Sequence, residues 1–154
     1  MRYTVGRLSA SGLSRVRIRR LLPGDEEEIL RAGRLFDAPP RAEAVRAYLA
    51  DERNVFLLAD EGGTATGFLR GTELGQLSSD RRQMFLYEIG VDAPFRRRGI
   101  GRALVLRLLR HCRVRRIEEV FVFTDPANTA AVGLYRSTGA ATETPADRMY
   151  VYAL

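Results

Sequence analysis

Apolar residues first fall into a pattern at Val16, where Val16, Ile18 and Leu21/Leu22 alternate with arginines as in a strand. Pro23-Gly24-Asp25 breaks that run, and the acids Asp25 to Glu28 suit a helix N-terminus, where the macrodipole favours negative charge. The helix is expected to reach Phe36, with Pro39-Pro40 as its stop, and a second helix spans Arg41 to Leu49 with Val45 and Tyr48/Leu49 on one face. Asn54 to Ala59 (NVFLLA) reads as a buried strand, Glu61-Gly62-Gly63 as a hairpin turn and Thr66 to Leu74 as the return strand. After a polar loop at 75–83, Met84 to Val91 forms a third long strand. Strict alternation sets Phe85, Tyr87, Ile89 and Val91 on one face and Glu88 on the other, while Gly90 marks a bulge or a close backbone approach. Gly101 to Arg113 is helical, with Leu104, Val105, Leu108, Leu109 and Cys112 as its apolar stripe. A strand at Val120–Phe123, a short helix capped by Asn128 or Thr129 and ending near Gly139, and a last strand at Arg148–Leu154 complete the chain. The order β-α-α-β-β-β-α-β-α-β predicts an α/β fold. It is a single domain over 16–154 with a mixed, mostly antiparallel twisted sheet and about four helices, and residues 1–15 form a flexible basic arm.

Composition narrows the chemistry. All 25 basic residues among the 154 are arginine, so a lysine Schiff base, a lysine general base and a P-loop lysine are excluded. One histidine (His111) and one cysteine (Cys112) exclude a zinc site of several His and Cys ligands and an internal disulfide, which makes a reducing cytoplasm the expected compartment. No run approaches a membrane span, and none near the N-terminus has signal-peptide character. The net charge of +6 equals that of residues 1–20, which hold six arginines and no acid. Residues 92–116 carry nine arginines against Asp92 alone, whereas 21–91 sum to −5 and 117–154 to −3. A strongly positive segment inside an acidic protein points to a local anion site rather than to a general polyanion binder.

That segment is Asp92-Ala-Pro-Phe-Arg-Arg-Arg-Gly-Ile-Gly-Arg102, with a strand before it and an apolar helix after it. The first turn of a helix exposes backbone N–H groups, glycines let an anion approach them, and arginines add charge, so a pyrophosphate fits here. The spacing is neither a Walker A loop nor a Rossmann fingerprint.

Arg96-x-x-Gly99-x-Gly101 resembles the Q/R-x-x-G-x-G/A motif of the GNAT superfamily of acyl-CoA-dependent N-acetyltransferases. Asn128-x-x-Ala131-x-x-Leu134-Tyr135-x-x-x-Gly139 resembles the superfamily's second signature, and Ile89-Gly90-Val91 sits where its pantetheine-binding strand belongs. The resemblance covers about residues 16–154. It implies acetyl-CoA as cofactor, bound by Ile89, Val91, Arg96, Arg97, Arg98, Gly99, Gly101, Arg102, Asn128 and Tyr135. Within the superfamily the chain is most similar to the type I aminoglycoside 3-N-acetyltransferases, through Leu35-Phe36, Tyr87 to Val91, Asp125-Pro126-x-x-x-Ala130 and Met149-Tyr150. It departs from them in carrying Glu88 where that family has aspartate, and Tyr152 where it has an acid near the end of the last strand.

Acetylating an amine requires a base for its proton, a donor to the developing oxyanion and a proton for the departing thiolate. Glu88, a carboxylate in an apolar strand beside the cofactor stretch, is the expected base, against the plainer role of a salt-bridged glutamate. The backbone N–H of Val91 is the expected oxyanion donor. Tyr135, by resemblance to the superfamily tyrosine, is the expected acid. Asn128 would bond the pantetheine arm, cap its helix, or both. Asp37, Asp125, Glu143 and Asp147 are candidate acids for a cationic substrate or plain solvated surface, with Glu88 also in reach of that substrate. His111 reads as a surface histidine and Cys112 as a buried thiol. The leading expectation is thus a cytoplasmic acetyl-CoA-dependent transferase acting on a small-molecule amine, best an aminoglycoside, and serving antibiotic resistance. A protein, peptide or polyamine acetyltransferase, a basic nucleic-acid-binding module and a non-catalytic GNAT-like interaction module are the alternatives. An edge strand at Arg148–Leu154 would allow a homodimer.

Overall fold

The computed structural model describes residues 16–142. The basic arm at 1–15, Glu143, Asp147, Tyr152 and the expected strand Arg148–Leu154, with its dimer edge, lie outside the described residues. The described residues fall into two compact units, one ending at Phe123 and the other beginning at Thr124.

The first unit is a five-stranded sheet in the order β1 (Val16–Leu21), β2 (Asn54–Glu61), β3 (Thr64–Gly75), β4 (Arg82–Val91) and β5 (Glu119–Phe121). The first four strands are antiparallel to their neighbours and β5 is parallel to β4, which makes the sheet mixed and mostly antiparallel. The β2–β3 hairpin turns at Gly62 and Gly63, both at positive φ (59° and 84°), as a two-residue turn that follows the strand twist demands. The hairpin lengthens both strands beyond expectation, and pairing of Gly75 with Arg82 shortens the polar loop to 76–81.

Helices cover both faces. On one, α1 (Glu26–Arg31) and α2 (Ala42–Ala50) bury Ile29, Val45 and Leu49 against Leu21, Phe56, Leu58 and Phe68. On the other, α3 (Ile100–Val114) buries Ile100, Leu104, Val105, Leu108 and Cys112; each full burial of such a side chain contributes roughly 1.5–3 kcal/mol. The single helix expected over Asp25–Phe36 is instead α1 followed by a 3-10 turn at Gly33–Leu35. The fully buried Ala32 shares its N–H between Glu28 and Ile29 carbonyls, and Gly33 releases the chain into the tighter turn. β5 ends at Phe121, two residues short of the expectation. Within the second unit, α4 spans Thr129–Ser137. Among the described residues no helix is long and apolar enough to cross a membrane.

The alternation expected in β4 does not hold. Phe85 pairs with Thr72, Leu86 with Gly71 and Glu88 with Arg70, so Tyr87 is an extra residue, a β-bulge. The bulge shifts the phase by one. Glu88 therefore shares a face with Phe85 and Tyr87, not with Met84 and Leu86, and of the expected opposite set only Ile89 and Val91 stay opposite. A side chain at Gly90 would point onto that same face, where its Cβ would come within 2.7 Å of the Phe68 ring.

Candidate active site

The positive segment forms one end of the site. A 3-10 turn at Ala93–Phe95 leads from β4 into Arg96, Arg97 and Arg98. Gly99 is the N-cap of α3 in the left-handed region (φ 80°), and Arg97 is held there too (φ 61°) without being glycine. No side chain caps α3, so the first N–H groups of a 15-residue helix stay available to an anion. The arginines do not act alike. Arg96 donates through Nε to the Val91 carbonyl at 3.0 Å, which ties the loop back to β4. Arg98 bonds the Glu61 carboxylate at 3.0 Å and lies 5.3 Å from the Phe95 ring centroid. Arg97 and Arg102 are exposed and bond no described residue. Gly101 lies in the first turn of α3. An uncapped helix end, a glycine bend and two unpaired guanidinium groups suit the pyrophosphate of coenzyme A.

Glu88 forms the other end. Its Oε2 accepts from Arg70 Nε at 2.6 Å, and both side chains are about one-third exposed (31% and 33%). The Arg70 guanidinium lies 4.3 Å from the centroid of the bulged Tyr87 ring and 5.9 Å from that of Tyr48. Tyr48 donates to the Gly71 carbonyl at 2.9 Å, and burial pushes its hydroxyl up to about 12, so it stays protonated and structural. Arg70 also lines a cleft of about 340 Å³ between the sheet and the α1–α2 segment. Ile29, Phe36, Ala38, Pro40, Val45 and Phe56 make its walls apolar, and Arg41 is its second charged residue. Asp37, between Phe36 and Ala38, is exposed.

Sequence reasoning missed Arg70 and Tyr48. Arg70 is the only charge between Gly67 and Thr72 in a strand otherwise apolar or small, and that was the available signal. Ile89 and Val91 continue β4 opposite Leu69 and Gly67, on the side of Ile100.

In the second unit, Asn128 caps α4: its Oδ1 accepts from the Ala131 N–H at 3.1 Å. Its Nδ2 bonds no described residue. Asp125 is exposed, and its carboxylate accepts from the Ala127 N–H at 2.8 Å in a local turn. Tyr135 is half-buried on α4, and burial raises its hydroxyl above the ordinary tyrosine value. His111 is partly buried, and burial together with Arg20, Arg115 and Arg107 lowers its value. Cys112 is a buried thiol pushed up to about 11 by burial.

β4 thus presents a carboxylate and runs through a short turn into a glycine-opened helix N-terminus. The pattern of the acetyltransferase (GNAT) family matches residues 21–140, and the chain belongs to that family. Mycothiol acetyltransferase of Thermobispora bispora is 36% identical over 135 residues, which is 80% of this chain and 46% of the relative. The chain spans about half the length of the curated relatives it matches. An aminoglycoside acetyltransferase from an uncultured soil metagenomic sample, solved in complex with sisomicin, superimposes with a TM-score of 0.82 at 26% identity, covering 90% of this chain and 96% of that one. The aminoglycoside acetyltransferase AAC(6')-Iy, solved with a bisubstrate analogue of CoA, shares the fold with a TM-score of 0.74 at 22% identity over 92% of this chain and 99% of that one.

Proposed function

We propose that this domain transfers an acetyl group from acetyl-CoA to a primary amine of a small molecule. The carrying observation is the uncapped, glycine-opened N-terminus of α3 beside Arg97 and Arg102, in a chain of the GNAT family. Ile89 and Val91 on β4, Arg96 to Gly99, Gly101, Arg102 and the Nδ2 group of Asn128 are the residues that would hold the cofactor. When bound, acetyl-CoA supplies an activated acetyl thioester. Glu88 takes the proton of the incoming ammonium group, directly or through water, so that the nitrogen reaches the thioester neutral. Arg70 orients that carboxylate through its 2.6 Å bond. Tyr135, half-buried on α4, would give its hydroxyl proton to the departing thiolate.

For the acceptor, likeness to solved relatives favours an aminoglycoside, with its 3-amino group as the finer reading. The likeness at TM-score 0.82 to an enzyme solved with sisomicin supports it. A second reading, the acceptor of mycothiol acetyltransferases, is favoured by the 36% identity over 80% of the chain. Thiol release from acetyl-CoA, followed with sisomicin, gentamicin, polyamines and peptides, tests the class and ranks the acceptors. The expected result is amine-dependent release that is nearly abolished in Glu88→Gln and slowed in Tyr135→Phe. Full activity in Glu88→Gln would remove Glu88 as the base. Absence of both CoA binding and thiol release would remove the enzyme reading itself.

A further inference from the structure

Arg70 is fixed in a particular way. Its Nε is committed to Glu88 at 2.6 Å and its flat face to Tyr87 at 4.3 Å, yet neither terminal nitrogen bonds any described residue. Those nitrogens sit on a residue that lines the 340 Å³ cleft, whose other walls are apolar apart from Arg41. Arg41 forms no ion pair with a described residue, and no carboxylate is among the residues lining the cleft. An acceptor that reaches Arg70 from the cleft meets its guanidinium and, outside the cleft lining, the Glu88 carboxylate bonded to it at 2.6 Å. A guanidinium fork matches a planar carboxylate, and a carboxylate matches an ammonium group. Two such groups on neighbouring carbons, with an apolar substituent, make an α-amino acid. A polycation would bring further positive charge against Arg41 and Arg70 without partners in the cleft.

We infer that the acceptor, in place of the aminoglycoside that likeness to solved relatives favours, is a free α-amino acid with an apolar side chain, its ammonium on Glu88, its carboxylate on the terminal nitrogens of Arg70 and its side chain in the cleft. This rests on the N-acetyltransferase reading. In the reaction Glu88 would take one proton from the ammonium group, the nitrogen–acetyl bond would form as the carbon–sulfur bond breaks, and the second proton that the nitrogen sheds would balance the one taken up by the thiolate as it leaves as the thiol.

The test uses the unaltered chain with acetyl-CoA and matched pairs: L-leucine against L-leucinamide and isoamylamine, L-phenylalanine against 2-phenylethylamine, and sisomicin. The expected result is thiol release with the amino acids. Removing the carboxylate lowers kcat/KM by roughly 10- to 100-fold, the scale of a hydrogen-bonded charge. Calorimetric titration of L-leucine gives a second readout: binding weakens by a similar factor in Arg70→Met, while CoA affinity stays unchanged. Leucinamide or isoamylamine used as well as leucine, sisomicin preferred over all amino acids, or no release with any amino acid would each overturn the inference. In those cases CoA binding that persists leaves the family function standing, and its loss would remove that function too.

Discussion

Two arginine-bearing regions sit on the same unit and are built in opposite ways. At the N-terminus of α3 the charge is local: Arg96 to Arg98 and Arg102 lie within seven consecutive residues, and the backbone between them supplies the N–H groups. In the cleft the charge is assembled. Arg70 and Glu88 are eighteen residues apart and meet only because β3 and β4 pair with Tyr87 bulged out. The first region leaves Arg97 and Arg102 unpaired among the described residues, as a diffuse anion cradle needs. The second neutralises its arginine in part through Glu88 and packs it against Tyr87.

Substitutions separate the two regions by which step they disturb. Glu88→Gln has the largest expected effect. Loss of a general base lowers kcat by about 10²- to 10⁴-fold while CoA affinity, read by calorimetry, is unchanged. A matching loss of CoA affinity would merge the two regions into one. Gly90→Ala comes next, because its new Cβ would stand 2.7 Å from a Phe68 ring carbon in a packed core. Overpacking of this kind costs about 1–3 kcal/mol, read as a lowered urea midpoint, and the acceptor KM is expected to rise through displacement of β4. Gly99→Ala places a Cβ in the left-handed region at φ 80°, with an expected cost of about 1–2 kcal/mol. Here the KM for acetyl-CoA rises and that for the amine does not, whereas displacement of β4 by the Gly90 variant raises both.

The smallest effect is a control away from both regions. The folded value of His111 lies below its ordinary 6.5, chiefly through burial and then through Arg20, Arg115 and Arg107. The unfolded chain therefore takes up a proton first as pH falls. Stability from the neutral imidazole is present above about pH 6.5 and lost below it. Urea midpoints at pH 7.5 and 5.5 are expected to differ less in His111→Gln than in the parent chain. Equal differences would assign the acid sensitivity to other groups.

Over the described residues, the element order and most boundaries were legible because apolar spacing, glycine pairs and proline breaks are local signals. The glycine-opened start of α3 was legible for the same reason. A helix N-terminus, Gly99 and a run of arginines are neighbours in sequence and remain neighbours in space. The face of Glu88 was misread because a bulge changes the phase of a strand by one residue, and no alternation rule contains it. The capping bond of Asn128 was within reach, since a cap acts three residues away. Arg98 was not separable from its neighbours, because its partner Glu61 arrives from another strand.

What the sequence determined by itself was therefore the family, the strand and helix order of the described residues and a glycine-opened helix N-terminus among arginines. All of these depend on residues within one turn or one strand of each other. Only the tertiary structure decided which arginine faces Glu88, which tyrosines hold that arginine in place, and that the cleft beside them is apolar and carries Arg41. Register and bulge are set by packing between strands, and contacts across eighteen or more residues of chain have no period for a sequence to display.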